Sequence, residues 1–408
     1  MSRIAIVGAS LAGLEAAKEL RRAGFDGDLT VFGREAHAPY DRPPLSKELL
    51  AGTYQRDQVG LALEESASAQ WRLGTTVTRL DAAERTLEID GGRPEPFDGI
   101  VIATGADPIR PRFRHEADRP LEGIHVVRTL DDCLALSAEL RHAPVRVLIV
   151  GAGFIGAEVA STCRRLGLRV TVVEGLAVPM QLALGHQVGE VMGEIQRDNG
   201  VDLRTGVTVT DLRGGRRVEE AHLSDGTVLA ADVVVLAVGV RPATRWLEGS
   251  GLTLDGGVVC DETCLAAPGI VAAGDVARWP NNRFGEVRRV EHWDNAIRQA
   301  HHAARRLLAG SDAEAVAYEP VPWFWSDQFD RKLQLVGSPL SFDEFRVVSG
   351  SLAERKFAGV YRRDDRLIAT VALNSPRVIV SSRRLLERNP TWTEALAVLG
   401  AATDARPR

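Results

Sequence analysis

The chain has 408 residues, a length that at roughly 150 residues per domain points to two or three domains with room for a buried cofactor. Its composition, 45% hydrophobic and 26% charged with 39 glycines, excludes a disordered or fibrous protein. A net charge of -5 argues against a general nucleic-acid binder, and four cysteines in so long a chain exclude a disulfide scaffold and suit a reducing, cytoplasmic setting.

The apolar run after Arg3 is interrupted by Glu15 and Lys18 and does not read as a signal peptide. No apolar stretch approaches the roughly 18 residues of a bilayer span, so no membrane association is expected. Residues 3–8 (RIAIVG) form a β-branched strand that leads into a turn at Gly8, Ser10 and Gly13, then a helical pattern through LEAAKELRRAG that stops at Gly24. A second strand, LTVFG, ends at Gly33, with Glu35 roughly 20 residues beyond Gly13. In a βαβ unit of this kind the helix N-terminus faces a pyrophosphate and the acid meets a ribose. Ser10 stands where a middle glycine lets the backbone approach the phosphates. Its side chain is small and its hydroxyl can turn toward a phosphate oxygen, so the site is expected to persist. Taken alone, the stretch fits a merely structural turn equally well.

In PYDRPPLSKELLAG (39–52), Pro43 and Pro44 fix consecutive φ angles and present Leu45, Ser46 and Lys47 on a stiff loop, with Ser46 placed to cap the helix KELLAG. Lys47 is then either aimed at a site or a solvated surface lysine. GIVIATGADP (99–108) is a continuous apolar run followed by Ala103, Thr104 and Gly105, small residues where backbone can pass close to a ligand or simply enter a turn. The whole βαβ arrangement returns at 146–175 (RVLIVGAGFIGAEVASTCRRLGLRVTVVEG), with Gly151, Gly153 and Gly156 and a terminal Glu174. Two such units in order read as two dinucleotide sites. Glu174 would face the extra phosphate of NADPH; like charges at roughly 4 Å cost about 4 kcal/mol at an effective dielectric near 20. Gly175 follows, not an arginine that could hold that phosphate, so NADH is expected there. VVVLAVGVRP (233–242) and GIVAAGDVAR (269–278) are further buried-strand runs; with 99–108, the first is spaced as one of two crossings between domains.

With PYDRPPLSKELLAG, the ATG segment at 103–105, VRTLDD (127–132), AAGDVAR (272–278) and PWFWSDQ (322–328), the sequence resembles the FAD-dependent pyridine-nucleotide oxidoreductases over nearly its whole length. The branch it is most similar to holds putidaredoxin reductase, rubredoxin reductase and the ferredoxin reductases of aromatic-ring dioxygenases. The resemblance implies an α/β, glutathione-reductase-like architecture: two Rossmann-like dinucleotide-binding domains plus a small α+β C-terminal domain. FAD would take residues 1–108 and 242–318, NADH residues 109–241, and residues 319–408 would cover the flavin. Carried over position by position, Gly8, Ser10, Ala12, Gly13, Glu35, Arg42, Lys47, Val77, Ala103, Thr104, Gly105, Arg128, Gly274, Asp275, Trp293 and Trp325 should line the FAD site. The nicotinamide side would use Gly151, Gly153, Ile155, Gly156, Glu158, Glu174 and Gly239, and Lys47, Glu158 and Trp325 would be catalytic. Arg34 stands directly after Gly33 where relatives often carry an acid, so the ribose contact falls to Glu35. Asp275 accepts from the ribityl chain or caps the next element. Alternation in WFWSDQ puts Trp323 and Trp325 on one strand face and Phe324 on the other.

The first 132 residues hold no cysteine, so a dithiol relay from the first domain is excluded. Cys260 and Cys264, if extended, stand about 13 Å apart, beyond the roughly 7 Å reach of a disulfide; only a tight turn would bring them together. They read as structural thiols, as do the lone Cys133 and Cys163. No metal-ligand cluster is visible, so no metal is expected. Electrons must then leave the flavin directly, and flavins can release them singly. The expected activity is NADH:ferredoxin oxidoreductase (EC 1.18.1 class) with tightly bound FAD, serving a [2Fe-2S] ferredoxin that feeds a cytochrome P450 or a Rieske-type oxygenase. The alternatives are rubredoxin reductase or NADH oxidase on the same fold, or an NADH-sensing flavoprotein resembling apoptosis-inducing factor. Transient electrostatic docking of an acidic ferredoxin would use Arg298, Arg305 and His301 or His302 in the helical stretch 295–310, or Arg383 and Arg384, unless these are solvated helix faces. The oligomeric state, monomer or homodimer, stays open.

Overall fold

The structure is a computed structural model that describes residues 1–63, 68–113, 121–141, 145–309 and 315–404. Gly310, at the end of the nominated docking stretch, and residues 405–408 of the expected C-terminal domain lie outside the described residues. The chain divides into two compact units. One comprises Met1–Asp41, Val59–Asp107 and Arg241–Phe324, the other Arg42–Gln58, Pro108–Val240 and Trp325–Arg408.

The first unit is built on the expected strand, turn and helix: β1 (Arg3–Val7), α1 (Leu11–Arg22) and β2 (Asp28–Gly33). β1 lies in the interior of a six-stranded sheet ordered Leu265–Ala267, Ile270–Ala272, Gly99–Ile102, β1, β2, Gln70–Leu73. All neighbours pair in parallel except the antiparallel edge strand Leu265–Ala267. Ile4, Ala5 and Ile6 have no exposed surface, as unbroken apolar runs covered on both faces require. The chain leaves β1 toward β2 on one side and later returns to its other side at Gly99–Ile102. Such a reversal opens a crevice at the C-terminal strand ends, where the Gly8 turn sits. α1 starts earlier than the helical pattern indicated and ends at Arg22, and Gly24 supplies the left-handed turn (φ 88°) behind it.

The second unit repeats the plan with β3 (Arg146–Val150), α2 (Phe154–Arg165) and β4 (Arg169–Glu174). Its parallel sheet runs Asp202–Thr205, β4, β3, Val233–Leu236, Ile124–His125, so β3 again stands at a reversal of strand order. The C-terminal part adds a mostly antiparallel sheet in which Arg331–Gly337, Arg366–Leu373, Lys356–Arg363 and Glu344–Ser351 are successive neighbours, followed by helices Pro376–Leu386 and Trp392–Asp404. Within this unit the Tyr361 hydroxyl donates to the Leu184 carbonyl at 2.9 Å, and the Phe329 amide donates to Ser161 Oγ on α2 at 2.7 Å. The stiff loop of residues 42–58 also rides on α2, because the Thr162 hydroxyl donates to the Ser46 carbonyl at 2.8 Å. The expectation that Ser46 caps the following helix is corrected: residue Lys47 occupies the cap position, with no side-chain cap bond.

Between Cys260 and Cys264 the alternative left open, a tight turn, is the one present. The segment between them is not extended: the Cys264 amide donates back to the Asp261 carbonyl at 3.1 Å and Cys264 takes a φ of 70°. Both remain free, buried thiols, as do Cys133 and Cys163.

Candidate dinucleotide sites and a buried ion pair

The two glycine turns are alike at the level of single hydrogen bonds. Gly8 N donates to Phe32 O and Gly151 N to Val173 O, both at 2.8 Å, which ties each turn to the neighbouring strand. Leu14 N reaches Ser10 O at 2.9 Å and Ala157 N reaches Gly153 O at 3.0 Å, which starts each helix. The outer glycines have no room for a side chain. A Cβ on Gly8 (φ 118°) would lie 2.1 Å from Ala103 O, and one on Gly151 (φ 101°) would lie 2.5 Å from Ala237 O. A Cβ on Gly13 or Gly156 would strike the carbonyl of Gly8 or Gly151 at 1.8 and 2.1 Å.

The middle positions are different. A Cβ on Gly153 would meet no protein atom within 4 Å, so backbone there borders open space. Neither helix has a side-chain cap at its N-terminus, and neither carries an acid in its first turn. Uncapped amides and the positive end of a helix dipole form an anion site, and the open space at Gly153 is where a pyrophosphate would approach. The residues therefore fit a dinucleotide at each turn. Ser10, equivalent to Gly153, makes no capping bond, which leaves its hydroxyl available to a ligand oxygen.

The acids nominated for the ribose contacts are both held. Glu174, at the end of β4, accepts from Ala152 N at 2.7 Å and from Leu176 N at 2.9 Å, one amide per oxygen. These bonds fix its orientation and leave further lone pairs for a ligand. Glu35 accepts a bond from the buried Tyr40 hydroxyl, and Arg34 is drawn aside by Asp107 at 2.8 Å.

Other nominated residues fall in both units. In the first, Gly274 (φ 75°) packs on Ala12, so that a Cβ there would sit 3.1 Å from the Ala12 Cβ. The Gly274 amide donates to the buried Gln299 Oε1 at 2.9 Å. The Asp275 carbonyl accepts from Arg289 at 2.7 Å; Val77 is buried; the Thr104 hydroxyl donates to Ala243 O at 3.0 Å; Gly105 O accepts from Ala243 N at the same distance. The Trp293 indole donates to Asp41 at 2.7 Å. His292, just before it, packs on Phe324 with ring centroids 4.8 Å apart. Its Nδ1 is buried without a partner, and burial, with Arg288 adding, pushes the imidazole down to about 3 against the opposing charge of Asp275. A neutral imidazole nitrogen without a protein partner, with the Asp275 charge acting on it, offers polar groups that fit a cofactor ring or chain.

In the second unit lie Arg42, Lys47, Arg128 and Trp325, together with Ile155, whose side chain is held out at the start of α2, and Gly239, whose carbonyl accepts from Ile109 N at 2.9 Å. Lys47 and Glu158 meet: Lys47 Nζ donates to Glu158 Oε2 at 2.8 Å, both side chains nearly excluded from solvent. Ser46 Oγ donates to the same oxygen at 2.5 Å, and Ser326 Oγ donates to Oε1 at 2.7 Å. Sequence reasoning missed both serines, as well as Tyr40, His292 and Gln299. The alternation that puts Trp325 on one strand face does place Ser326 on the other, but nothing local says what that face meets.

The nominated docking helix is not a free basic face. Arg298 pairs with Asp294 at 3.3 Å, His301 with Glu15 at 2.8 Å and Arg305 with Glu19 at 2.6 Å. The His301 bond also holds the Glu15 carboxyl below its usual range. Arg384, on Pro376–Leu386, is exposed. Burial pushes the thiols of Cys133, Cys163 and Cys260 up to about 12, and it raises that of Cys264 well above its ordinary value. Among the described residues no cluster of His, Cys, Asp or Glu could hold a metal ion, and no helix is long and apolar enough to cross a membrane.

Residues 2–300 match the family model described as pyridine nucleotide-disulphide oxidoreductase, and residues 323–404 match one described as reductase C-terminal. The chain is 37% identical to the ferredoxin--NAD(+) reductase component of the p-cumate 2,3-dioxygenase system of Pseudomonas putida, over 95% of this chain and 94% of that one. It is 31% identical to a putidaredoxin reductase of Pseudomonas putida, over 94% and 91%. Among solved structures it is similar to the covalent putidaredoxin reductase–putidaredoxin complex, with a TM-score of 0.90, 30% identity and 99% of each chain covered. The ferredoxin reductase for the CYP199A2 system from Rhodopseudomonas palustris also gives 0.90, with 32% identity over 99% of this chain and 100% of that one.

Proposed function

Because the chain belongs to the pyridine nucleotide-disulphide oxidoreductase family, and within it is similar throughout to ferredoxin reductases of oxygenase systems, we propose that it is an FAD-dependent NADH:ferredoxin oxidoreductase. One combination carries the reading: two dinucleotide turns in a chain whose four thiols are all buried and held protonated. When bound, FAD takes a hydride from NADH and gives up electrons one at a time, the chemistry a one-electron iron–sulfur acceptor needs. With all four thiols buried and held protonated, the acceptor protein would receive these electrons directly.

The chain's own residues have these roles. Gly8, Ser10 and Gly13 bring the α1 amides to the FAD pyrophosphate, and Glu35, oriented by Tyr40, takes its ribose. Asp275 and the neutral His292 offer polar contacts to the remainder. Gly151, Gly153 and Gly156 do the same for NADH, and the Glu174 carboxylate, fixed by two amides, accepts the free ribose hydroxyls and repels a 2′-phosphate. Lys47, tied to Glu158, would supply a positive charge to a flavin that becomes more negative on reduction. Trp325 is assigned to the isoalloxazine edge. FAD is assigned to residues 1–108 and 242–318, NADH to 109–241, and residues 319–408 cover the flavin. The acceptor is an acidic [2Fe-2S] ferredoxin serving a cytochrome P450 or Rieske-type oxygenase, docking transiently in the cytoplasm, with Arg383 and Arg384 the basic cluster proposed for it.

The cofactor assignment is tested by anaerobic reduction of the bound flavin. NADH should outperform NADPH by a factor of order a thousand, from about 4 kcal/mol of like-charge repulsion at Glu174. Equal or faster reduction by NADPH would contradict the role of Glu174.

A further inference from the structure

We propose that Ser46 and Ser326 are positioning residues that hold the buried Glu158 carboxylate by one hydrogen bond to each oxygen and thereby fix the Lys47 ammonium. This deepens, and rests on, the reading of Lys47 as a group that serves the flavin. Glu158 Oε2 receives Ser46 at 2.5 Å and Lys47 at 2.8 Å, and Oε1 receives Ser326 at 2.7 Å. Ser326 in turn accepts from Gln328 Nε2 at 3.0 Å, so its single hydroxyl proton is left to point at the carboxylate.

The donors are themselves anchored on α2. Glu158 and Thr162 lie four residues apart on one face of that helix, and they bind the side chain and the carbonyl of Ser46 respectively. Ser161 receives the Phe329 amide and so secures the strand that carries Ser326. A buried carboxylate facing a single ammonium is poorly compensated for lost water, whereas two further hydroxyl donors stabilise the charged form directly. They also leave the carboxylate one orientation, and with it the ammonium.

Other charged groups on the elements packed against α2 are engaged elsewhere or not bonded to Glu158. Arg146 is tied to Asp232, Glu174 to its turn amides and Asp327 to Lys332, while Glu48 and Arg169 make no bond to it. The orientation of the Glu158 carboxylate therefore rests on Lys47 and the two serines.

The chain has four lysines, Lys18, Lys47, Lys332 and Lys356, so selective 13C-lysine labelling of the FAD-loaded protein gives few Cε resonances, and Lys47→Met assigns one of them. In the wild type the Lys47 ammonium, held on one carboxylate orientation, should give a single sharp Cε resonance distinct from those of the other lysines. In Ser46→Ala/Ser326→Ala the carboxylate loses two donors and its fixed orientation, so the Lys47 resonance should broaden and move toward those of the other lysines. Flavin reduction by NADH should slow with it, and Ser46→Thr/Ser326→Thr, which keeps both hydroxyls, should restore both. Should the double alanine variant fail to fold, Ser326→Ala alone carries the measurement with a smaller change. An unmoved, sharp Lys47 resonance in the alanine variants, with Lys47→Met still slowing flavin reduction, would overturn the proposal and leave the catalytic reading standing. Wild-type flavin reduction by Lys47→Met would instead overturn the reading on which the proposal rests.

Discussion

Gly151 and Gly153 belong to one turn, yet substitution should separate them. An added Cβ at Gly151 meets the Ala237 carbonyl at a backbone angle that favours glycine, so Gly151→Ala should cost roughly 2–4 kcal/mol of stability. At Gly153 the same atom meets no protein, so Gly153→Ala should stay within about 1 kcal/mol of wild type while NADH binding weakens by roughly tenfold. Thermal melts and NADH titrations of both variants check this, and equal melting losses would remove the ligand-facing role of Gly153. His292 makes a second prediction at this scale. Its imidazole is pushed down to about 3 in the fold and returns to about 6.5 on unfolding, so between those pH values the unfolded chain binds more protons. Stability should rise with pH through that window, by up to about 1.4 kcal/mol per unit from this residue. Denaturant midpoints of His292→Gln across pH 4–7 should show a shallower slope than wild type; parallel slopes would contradict the neutral buried state.

Among the elements, the helix Trp293–Leu308 shows what pattern alone can and cannot say. Its basic residues at helical spacing are legible in sequence, but the partners of His301 and Arg305, Glu15 and Glu19, lie on α1, 286 positions away. The exposed Arg305 beside the buried Glu19 should contribute about 1 kcal/mol at most. Arg298→Ala/Arg305→Ala should therefore melt slightly lower and keep its kcat/KM for ferredoxin within about twofold. A tenfold loss in ferredoxin turnover with unchanged flavin reduction by NADH would return this helix to the docking surface. The stiff loop after Arg42 is a similar case. Pro43 and Pro44 announce its rigidity, but the use of Ser46 depends on Glu158, a bond spanning 112 positions, and local capping rules point to the wrong partner.

For the molecule as a whole, both glycine turns, their central strands and the acids that follow were legible, because glycine spacing and apolar periodicity are local signals that the parallel sheet requires. Less legible was the grouping of residues 42–58 with the second glycine turn, which is set by long-range hydrogen bonds to α2. The turn at Cys264 was left undecided as well, since a cysteine with positive φ has no sequence signature. Neither changes the route for electrons: the thiols are buried and held protonated, far from the reactive thiolate form. The direct route from flavin to ferredoxin is tested by NADH-dependent cytochrome c reduction, with and without added [2Fe-2S] ferredoxin, before and after exposure to iodoacetamide. The account predicts a rate that depends on ferredoxin and survives alkylation. Rapid dioxygen reduction indifferent to ferredoxin, or loss of ferredoxin-dependent reduction on alkylation, would contradict it.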